Sequence, residues 1–361
     1  MNINNTAYRT LWVANEAGDV ELIDQTRLPW DLHITRLQTA EDAWQAIATM
    51  QVRGAPLIGV TAAYGVALAM RQDSSDTALQ QVCQYLLGAR PTAVNLRWAL
   101  DQFQETLSRL PVELRQTEAY RLAGHLADED VATNRAIGDQ GLVLIQQLAE
   151  AHPDRPINIM THCNAGWLAT VDWGTATAPI YRAHDAGIPI HVWVDETRPR
   201  NQGASLTAFE LAEHGVPHTV VVDNTGGYLM QTGQVDLCIV GTDRTTVNGD
   251  VVNKIGTYLK ALAAHDNGVP FYVALPSSSI DWQLCRGCDV PIEQRGADEV
   301  THVRGRLDDV RTVSVRVVPE TSTTLNIGFD VTPARLISGL ITERGITEAS
   351  RQGLAQLFGD R

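Results

Sequence analysis

After residue 156 the chain repeats one pattern. Short runs rich in valine and isoleucine stand at 157–160, 189–194, 219–222, 237–240 and 271–275, and the intervals between them are long enough for helices, such as 205–214 and 251–265. Gly215 and Gly268 follow two of those intervals where a helix C-terminus favours glycine. Repeated strand–helix–strand units imply a parallel sheet covered on both faces. Ahead of them the period differs. Residues 11–13 and 20–23 alternate around Gly18-Asp19 and predict a hairpin. From 41 to 152 the apolar residues recur at helical spacing, as in Trp44, Ile47 and Ala48, or Val82, Tyr85 and Leu86. Pro91 and Pro111 punctuate this region, 130–152 reads as one long helix, and the prolines of 153–156 end it. Two more helices are expected near 333–343 and 347–358. The fold class is therefore α/β: a parallel-sheet domain at 151–361, preceded by a small domain at 1–150 of short β-sheet plus helices.

Composition narrows the function. With 361 residues and 44% apolar content, the chain can bury a core. Its net charge of −14, from 28 basic and 42 acidic residues, argues against nucleic acid or an anionic membrane held by a general positive surface. An anionic substrate must be met by a few local cations. The near-apolar run 55–70 contains Gly59, Thr61, Tyr64 and Gly65 and falls short of the ~20 residues of a membrane span, so it predicts a buried helix. The cysteines at 83, 163, 238, 285 and 288 are odd in number and sparse, which fits a reducing compartment. The start, Met1-Asn2-Ile3-Asn4-Asn5, lacks signal-peptide features. The expectation is a soluble cytoplasmic protein.

Ligands of an open parallel sheet bind outside the carboxyl ends of its strands. Past the five runs stand Thr161-His162-Cys163-Asn164-Ala165-Gly166, Asp195-Glu196-Thr197-Arg198-Pro199 with Gln202-Gly203, Asp223-Asn224-Thr225, Gly241-Thr242-Asp243-Arg244, and Pro276-Ser277-Ser278-Ser279. Asp223 and Ser277 read most simply as capping residues. Five polar clusters at one edge read as an active-site crest. Cys163 sits before a glycine near an expected helix start, where the dipole lowers a thiol's pKa. A Cys163–His162 pair is disfavoured because neighbours on an extended chain point to opposite sides. Asp243, after the dry run 237–240, suits a general acid; its structural alternative is an ion pair with an arginine. Only two lysines occur, Lys254 and Lys260. Pattern alone lets them be solvated helix positions, yet 248–257 leads into an expected helix whose start, with Lys254, suits a phosphate. Arg53 and Arg90 stand at element starts. Cys285-Arg286-Gly287-Cys288 lacks the second pair that zinc needs and reads as a surface loop. No Gly-x-Gly-x-x-Gly or Walker loop follows a strand, which removes support for dinucleotide hydride transfer and ATP hydrolysis.

Together, Arg53-Gly54-Ala55-Pro56, Arg90-Pro91-Thr92-Ala93-Val94-Asn95-Leu96, 161–166, 195–199 with Gln202-Gly203, 241–244, Asn248-Gly249-Asp250 with 253–257, and 329–333 with Ile341-Thr342-Glu343 resemble the signature segments of the methylthioribose-1-phosphate isomerases. The likeness runs from about Leu11 to Ile346. It implies a Rossmann-like domain behind a smaller amino-terminal one, and a cytoplasmic homodimer of methionine salvage that uses no metal or cofactor. It also implies a sugar-phosphate substrate, with Cys163 and Asp243 as catalytic residues. Substrate contacts carry over to Arg53, Gly54, Ala55, Arg90, Gln202, Asn253 and Lys254. Residues 325–328 replace the usual Asn-Pro-Ala, 303–324 is longer than expected, and serine stands at 277–279 where threonine is commoner. Relatives in the superfamily take 5-deoxyribose 1-phosphate or ribose 1,5-bisphosphate, and others are regulatory subunits of the translation-initiation exchange factor. With phosphate on C1, ring opening needs an acid at the ring oxygen, the role implied for Asp243. Hydrogen must then pass from C2 to C1, with Cys163 either as base or as stabiliser of a hydride shift.

Overall fold

Valine and isoleucine runs pair wherever both faces can be buried, and the main sheet is built that way. The structure, a computed structural model, describes residues 1–90 and 93–359; Pro91 and Thr92, expected to punctuate the helices and to follow Arg90, lie outside the described residues. Across the seven-stranded sheet the order is Gly345–Thr347, Gly339–Thr342, Phe271–Ala274, Leu237–Val240, Ile157–Thr161, Ile190–Asp195 and His218–Val221. All neighbours are parallel except the first pair. The carboxyl ends of the five expected strands therefore share one edge. The hairpin also forms: Leu11–Val13 pairs antiparallel with Val20–Ile23, which pairs with Ile34–Leu37.

The amino-terminal core centres on the helix Ala55–Met70, buried nearly all round as its unbroken apolar run predicts. Leu96, Phe103 and Leu107 of the helix Val94–Ser108 pack with it, as does Ala119. Thr39 starts the helix Ala40–Ala48 with a reciprocal cap: its hydroxyl accepts the Asp42 amide, and Asp42 Oδ2 accepts the Thr39 amide. The long helix runs Val112–Ala151, well before the expected start at 130, because no proline interrupts it after Pro111. It serves both cores: Ala119 and Ala123 face the helical one, while Ile137 and Ile145 join Ile159, Val192 and Val194 beneath the sheet.

Two expectations are corrected. The interval 251–265 is not one helix: Val251–Lys254 is a strand between Arg244–Thr246 and Phe329–Thr332, and the helix Thr257–Asp266 begins only after Gly256, at φ +103°. The β-branched pair Val251-Val252 has a partner on each side, and that pairing outweighs helical spacing. Residues 333–343 form a short 3₁₀ turn, Ala334–Leu336, then the strand Gly339–Thr342 beside Phe271–Ala274. The unfamiliar stretch 303–324 holds a hairpin of His302–Arg306 with Thr312–Arg316.

The long helix packs on a neighbouring helix through a close approach. A Cβ at Gly141 would stand 2.4 Å from Pro179 Cγ, on the helix Ala178–Asp185. Gly141→Ala gains about 1 kcal/mol of helix propensity, but overpacking costs roughly 1–3 kcal/mol. The expected outcome is a lower denaturant midpoint; a midpoint equal to or above the parent's would show that the two helices separate without loss.

Candidate active site

The strand Ile157–Thr161 ends in His162 and Cys163 at the crest edge. Cys163 is held at φ +64°, in the left-handed region that costs a β-carbon residue energy and needs over-determined surroundings. Those surroundings are present. The Cys163 amide donates to Thr197 Oγ1 at 2.9 Å, and its carbonyl accepts from Thr207 Oγ1 at 2.6 Å. Next to it, Asn164 Oδ1 and carbonyl O accept the Arg53 guanidinium at 2.6 and 2.8 Å. The amide of Asn164 donates to Glu210 Oε1 at 2.9 Å. Glu210 is fully buried and also accepts the Trp167 and Leu168 amides and the Tyr181 hydroxyl. Burial pushes its carboxyl up to about 7 against the pull of these donors.

The helix Ala55–Met70 points its amino end at this loop. Gly54 caps it at φ +92°, and a Cβ there would lie 2.3 Å from the Ala169 carbonyl, so only glycine allows the approach. Opposite, the Asp243 amide donates to the Val252 carbonyl at 3.0 Å, which fixes the half-buried carboxyl between two strands. Arg53, Gly54, Ala55, Cys163, Asp243 and Asn253 all line one cavity of about 30 Å³. A second crevice, sharing Ala55 and Asp243 with it, holds Arg90, which pairs with Glu293 at 3.3 Å. A third, sharing Arg53, holds Gln202. Lys254 lines none of the three. It is buried on its strand with Nζ 3.1 Å from the Gly328 carbonyl and 4.7 Å from the centre of the Phe329 ring, and its charge is felt at Cys163.

Several sequence expectations change here. Neither lysine is solvated and Lys254 does not start a helix; Lys260 is buried in an ion pair with Asp195. Cys163 faces no helix start, since only a single 3₁₀ turn, Trp167–Ala169, follows. Burial pushes its thiol up, with Arg53 and Lys254 pulling the other way. Arg244, the arginine adjacent to Asp243, pairs instead with Asp281 at 3.5 Å. His162 turns to Asp195, 2.8 Å from Nδ1, and its Nε2 meets the Ile255 carbonyl at 2.9 Å, leaving no nitrogen for the thiol. Asp223 caps the turn at Thr197 and Arg198, as expected. Cys285 and Cys288 are exposed and free.

Ligand atoms of His162, Asp195 and Asp223 lie within 4.8 Å of one another. They do not fit a cation. Asp195 already takes His162, Lys260 and the Thr197 hydroxyl, and Asp223 takes two backbone amides. Sequence reading missed Glu210, which sits mid-helix between Phe209 and Leu211 and resembles a solvated acid; those apolar neighbours were the available signal. It placed Ser279 only in a polar cluster, whereas the residue is fully buried and its hydroxyl, without a partner among the described residues, lines the cavity of Cys163.

Residues 51–349 match the model of the initiation factor 2 subunit family. The methylthioribose-1-phosphate isomerase of Rhodospirillum centenum is 61% identical over 362 residues, covering all of this chain and 96% of the relative. The enzyme of the same name from Rhizobium meliloti is 60% identical and covered in full. The chain belongs to the methylthioribose-1-phosphate isomerase family. Among solved structures, the 5-methylthioribose 1-phosphate isomerase from Pyrococcus horikoshii superposes with a TM-score of 0.83 at 36% identity, over 98% of this chain and 96% of that one. Subunit delta of translation initiation factor eIF-2B from A. fulgidus gives 0.81, also at 36%, over 97% and 99%. No described helix is long and apolar enough to cross a membrane.

Two outcomes follow for this family member. At pH 7, brief iodoacetamide treatment read by mass spectrometry should label Cys285 and Cys288 and leave buried Cys83, Cys163 and Cys238 largely unmodified. Fast labelling of Cys163 would contradict a buried, neutral thiol. The second concerns Glu210. Its folded carboxyl titrates near 7 against an ordinary 4.5, so between those values the folded state holds a proton that the unfolded state has lost. Its contribution is fully present below about pH 4.5 and is lost as pH rises through 7, about 3 kcal/mol in all. Glu210→Gln removes that slope, turns an amide donor toward other donors, and should cut activity roughly 10–100-fold by shifting the Cys163 loop. Urea unfolding of both proteins at pH 5 and 8 reads the difference; equal slopes would refute it.

Proposed function

We propose that this isomerase converts 5-methylthioribose 1-phosphate to 5-methylthioribulose 1-phosphate, an aldose-to-ketose change on a pentose 1-phosphate within methionine salvage. The observation that carries the reading is that Cys163 and Asp243, from different strand ends, line one small cavity together with Arg53 and the amino end of the buried helix. The phosphate on C1 is anchored by Arg53, by Gly54 and Ala55 at that helix end, and by Arg90, with Lys254 supplying charge from beneath. Gln202 and Asn253 hold the sugar. Residues 1–150 thus contribute the anion anchors and 151–361 the reacting groups, with the homodimer kept as part of the reading.

The steps balance with the chain's own residues. Asp243, protonated, delivers its proton to the ring oxygen. The C1–O bond breaks with its electron pair going to that oxygen, and C1 becomes an oxocarbenium carbon. Hydrogen then moves from C2 to C1. Burial raises the Cys163 thiol, with Arg53 and Lys254 pulling the other way, so a thiolate base is scarce. This supports a shift of the hydrogen with its electron pair, beside the polarisable sulfur. The C2 hydroxyl, now a protonated carbonyl, returns its proton to the Asp243 carboxylate.

The eIF-2B likeness gives a second reading, a non-enzymatic regulatory subunit. A thiol and a carboxyl in one cavity with three cations near favours the enzyme. Purified protein should isomerise 5-methylthioribose 1-phosphate with no partner added, in preference to 5-deoxyribose 1-phosphate and ribose 1,5-bisphosphate. Inactivity on all three sugars would favour the regulatory reading. Cys163→Ala and Asp243→Asn should each lose ~10²–10⁴-fold in turnover with an unchanged circular dichroism spectrum. Deuterium placed at C2 should be retained at C1; loss to solvent would replace the hydride shift with proton transfer.

A further inference from the structure

Buried polar atoms without partners are rare in folded proteins, and each asks for an explanation. In this protein three of them, Gln25 Oε1, Asn201 Oδ1 and Gln202 Oε1, have no hydrogen-bond partner among the described residues and belong to side chains lining a single crevice of about 320 Å³. Arg53 lines both this crevice and the cavity of Cys163 and Asp243. Gln202 is a carried-over substrate contact. Gln25 is not.

The orientation of Gln25 is fixed by its other end. Its Nε2 donates to the Leu168 carbonyl at 2.6 Å, and reversing the amide would set oxygen against oxygen. Its own backbone amide donates to the Gln51 carbonyl at 2.9 Å, two residues before Arg53. The side chain is 5% exposed. A carbonyl oxygen is thus held rigidly and desolvated, and it can only accept. What satisfies it must donate, as a sugar hydroxyl does.

Resting on the isomerase reading, we propose that Gln25 is a substrate-binding residue that accepts a hydrogen bond from the 3-hydroxyl of the pentose phosphate. The assignment follows from the sugar's chemistry. In a 5-methylthioribofuranose 1-phosphate only the 2- and 3-oxygens are free hydroxyls. The 2-hydroxyl belongs to the reacting carbon and sits with Cys163 and Asp243. The 3-hydroxyl is the one left to reach the crevice beyond Arg53, which Gln25 and Gln202 both line.

The test compares wild type with Gln25→Leu on 5-methylthioribose 1-phosphate and on its 3-deoxy analogue. The expected result is a KM about tenfold higher for the variant on the parent sugar, with kcat within about threefold, and equal KM values for both proteins on the analogue. A KM increase of the same size on both sugars, or a fall in kcat alone, would overturn the proposal and leave Gln25 as a prop for Leu168. Should the leucine variant fail to fold, Gln25→Asn, which keeps both polar groups but shortens their reach, is compared in the same way. Inactive wild type would overturn the isomerase reading instead. Calorimetric titration with the parent sugar and the 3-deoxy analogue then still reads the Gln25 effect as a change in Kd on the parent alone, and its absence overturns this inference.

Discussion

A single buried carboxylate, Asp195, ties the crest of the sheet together. It receives His162 from the neighbouring strand end, Lys260 from the helix Thr257–Asp266 and the hydroxyl of Thr197 from its own loop. Burial pushes Asp195 up, but His162 and Lys260 hold it well below the usual carboxylate range. A buried ion cluster of this kind adds little net stability over apolar packing, yet losing one member leaves an uncompensated charge. Its consequence is geometric. With His162 fixed on one side and Thr197 on the other, Cys163 has nowhere to go but the strained left-handed conformation that lines the cavity. The lysines, rare in this chain, are spent at Asp195 and beside the reacting groups.

A second buried carboxylate works on the same loop from behind. Glu210 gathers the amides of Trp167 and Leu168 and the side chain of Asn164, and Asn164 in turn holds Arg53. The chain of contacts runs from the sheet's covering helix to the cation just ahead of the helix Ala55–Met70. Gly166 permits it, since a Cβ there would overlap the Glu210 carboxylate. Asp195 therefore sets where Cys163 lies, and Glu210 sets where Arg53 lies relative to it.

How much of this was legible in sequence depends on whether a signal is local. The parallel strands were legible, because short valine- and isoleucine-rich runs need no partner to be recognised. The strand Val251–Lys254 was not, because its state is decided by Phe329–Thr332, far away in the chain. The same non-local pairing turned 339–342 from expected helix to strand. Cys163, Asp243 and the arginines stood out as chemically able residues just past strand or before helix. Glu210 and Gln25 did not, since a glutamate within a helix and a glutamine after a strand are ordinary until burial makes them costly. The thiol's direction was misjudged for the same reason: a dipole effect is read from neighbours in sequence, whereas desolvation is read only from what covers the site.

The cavity shared by Cys163 and Asp243 has room for about two waters and not for a pentose phosphate. The adjoining crevices supply the remaining space, and the walls between them are Arg53 on one side and Ala55 with Asp243 on the other. Arg53 donates to two neutral oxygens of Asn164, and on the proposed reading a phosphate that takes up the guanidinium replaces neutral acceptors with charged ones.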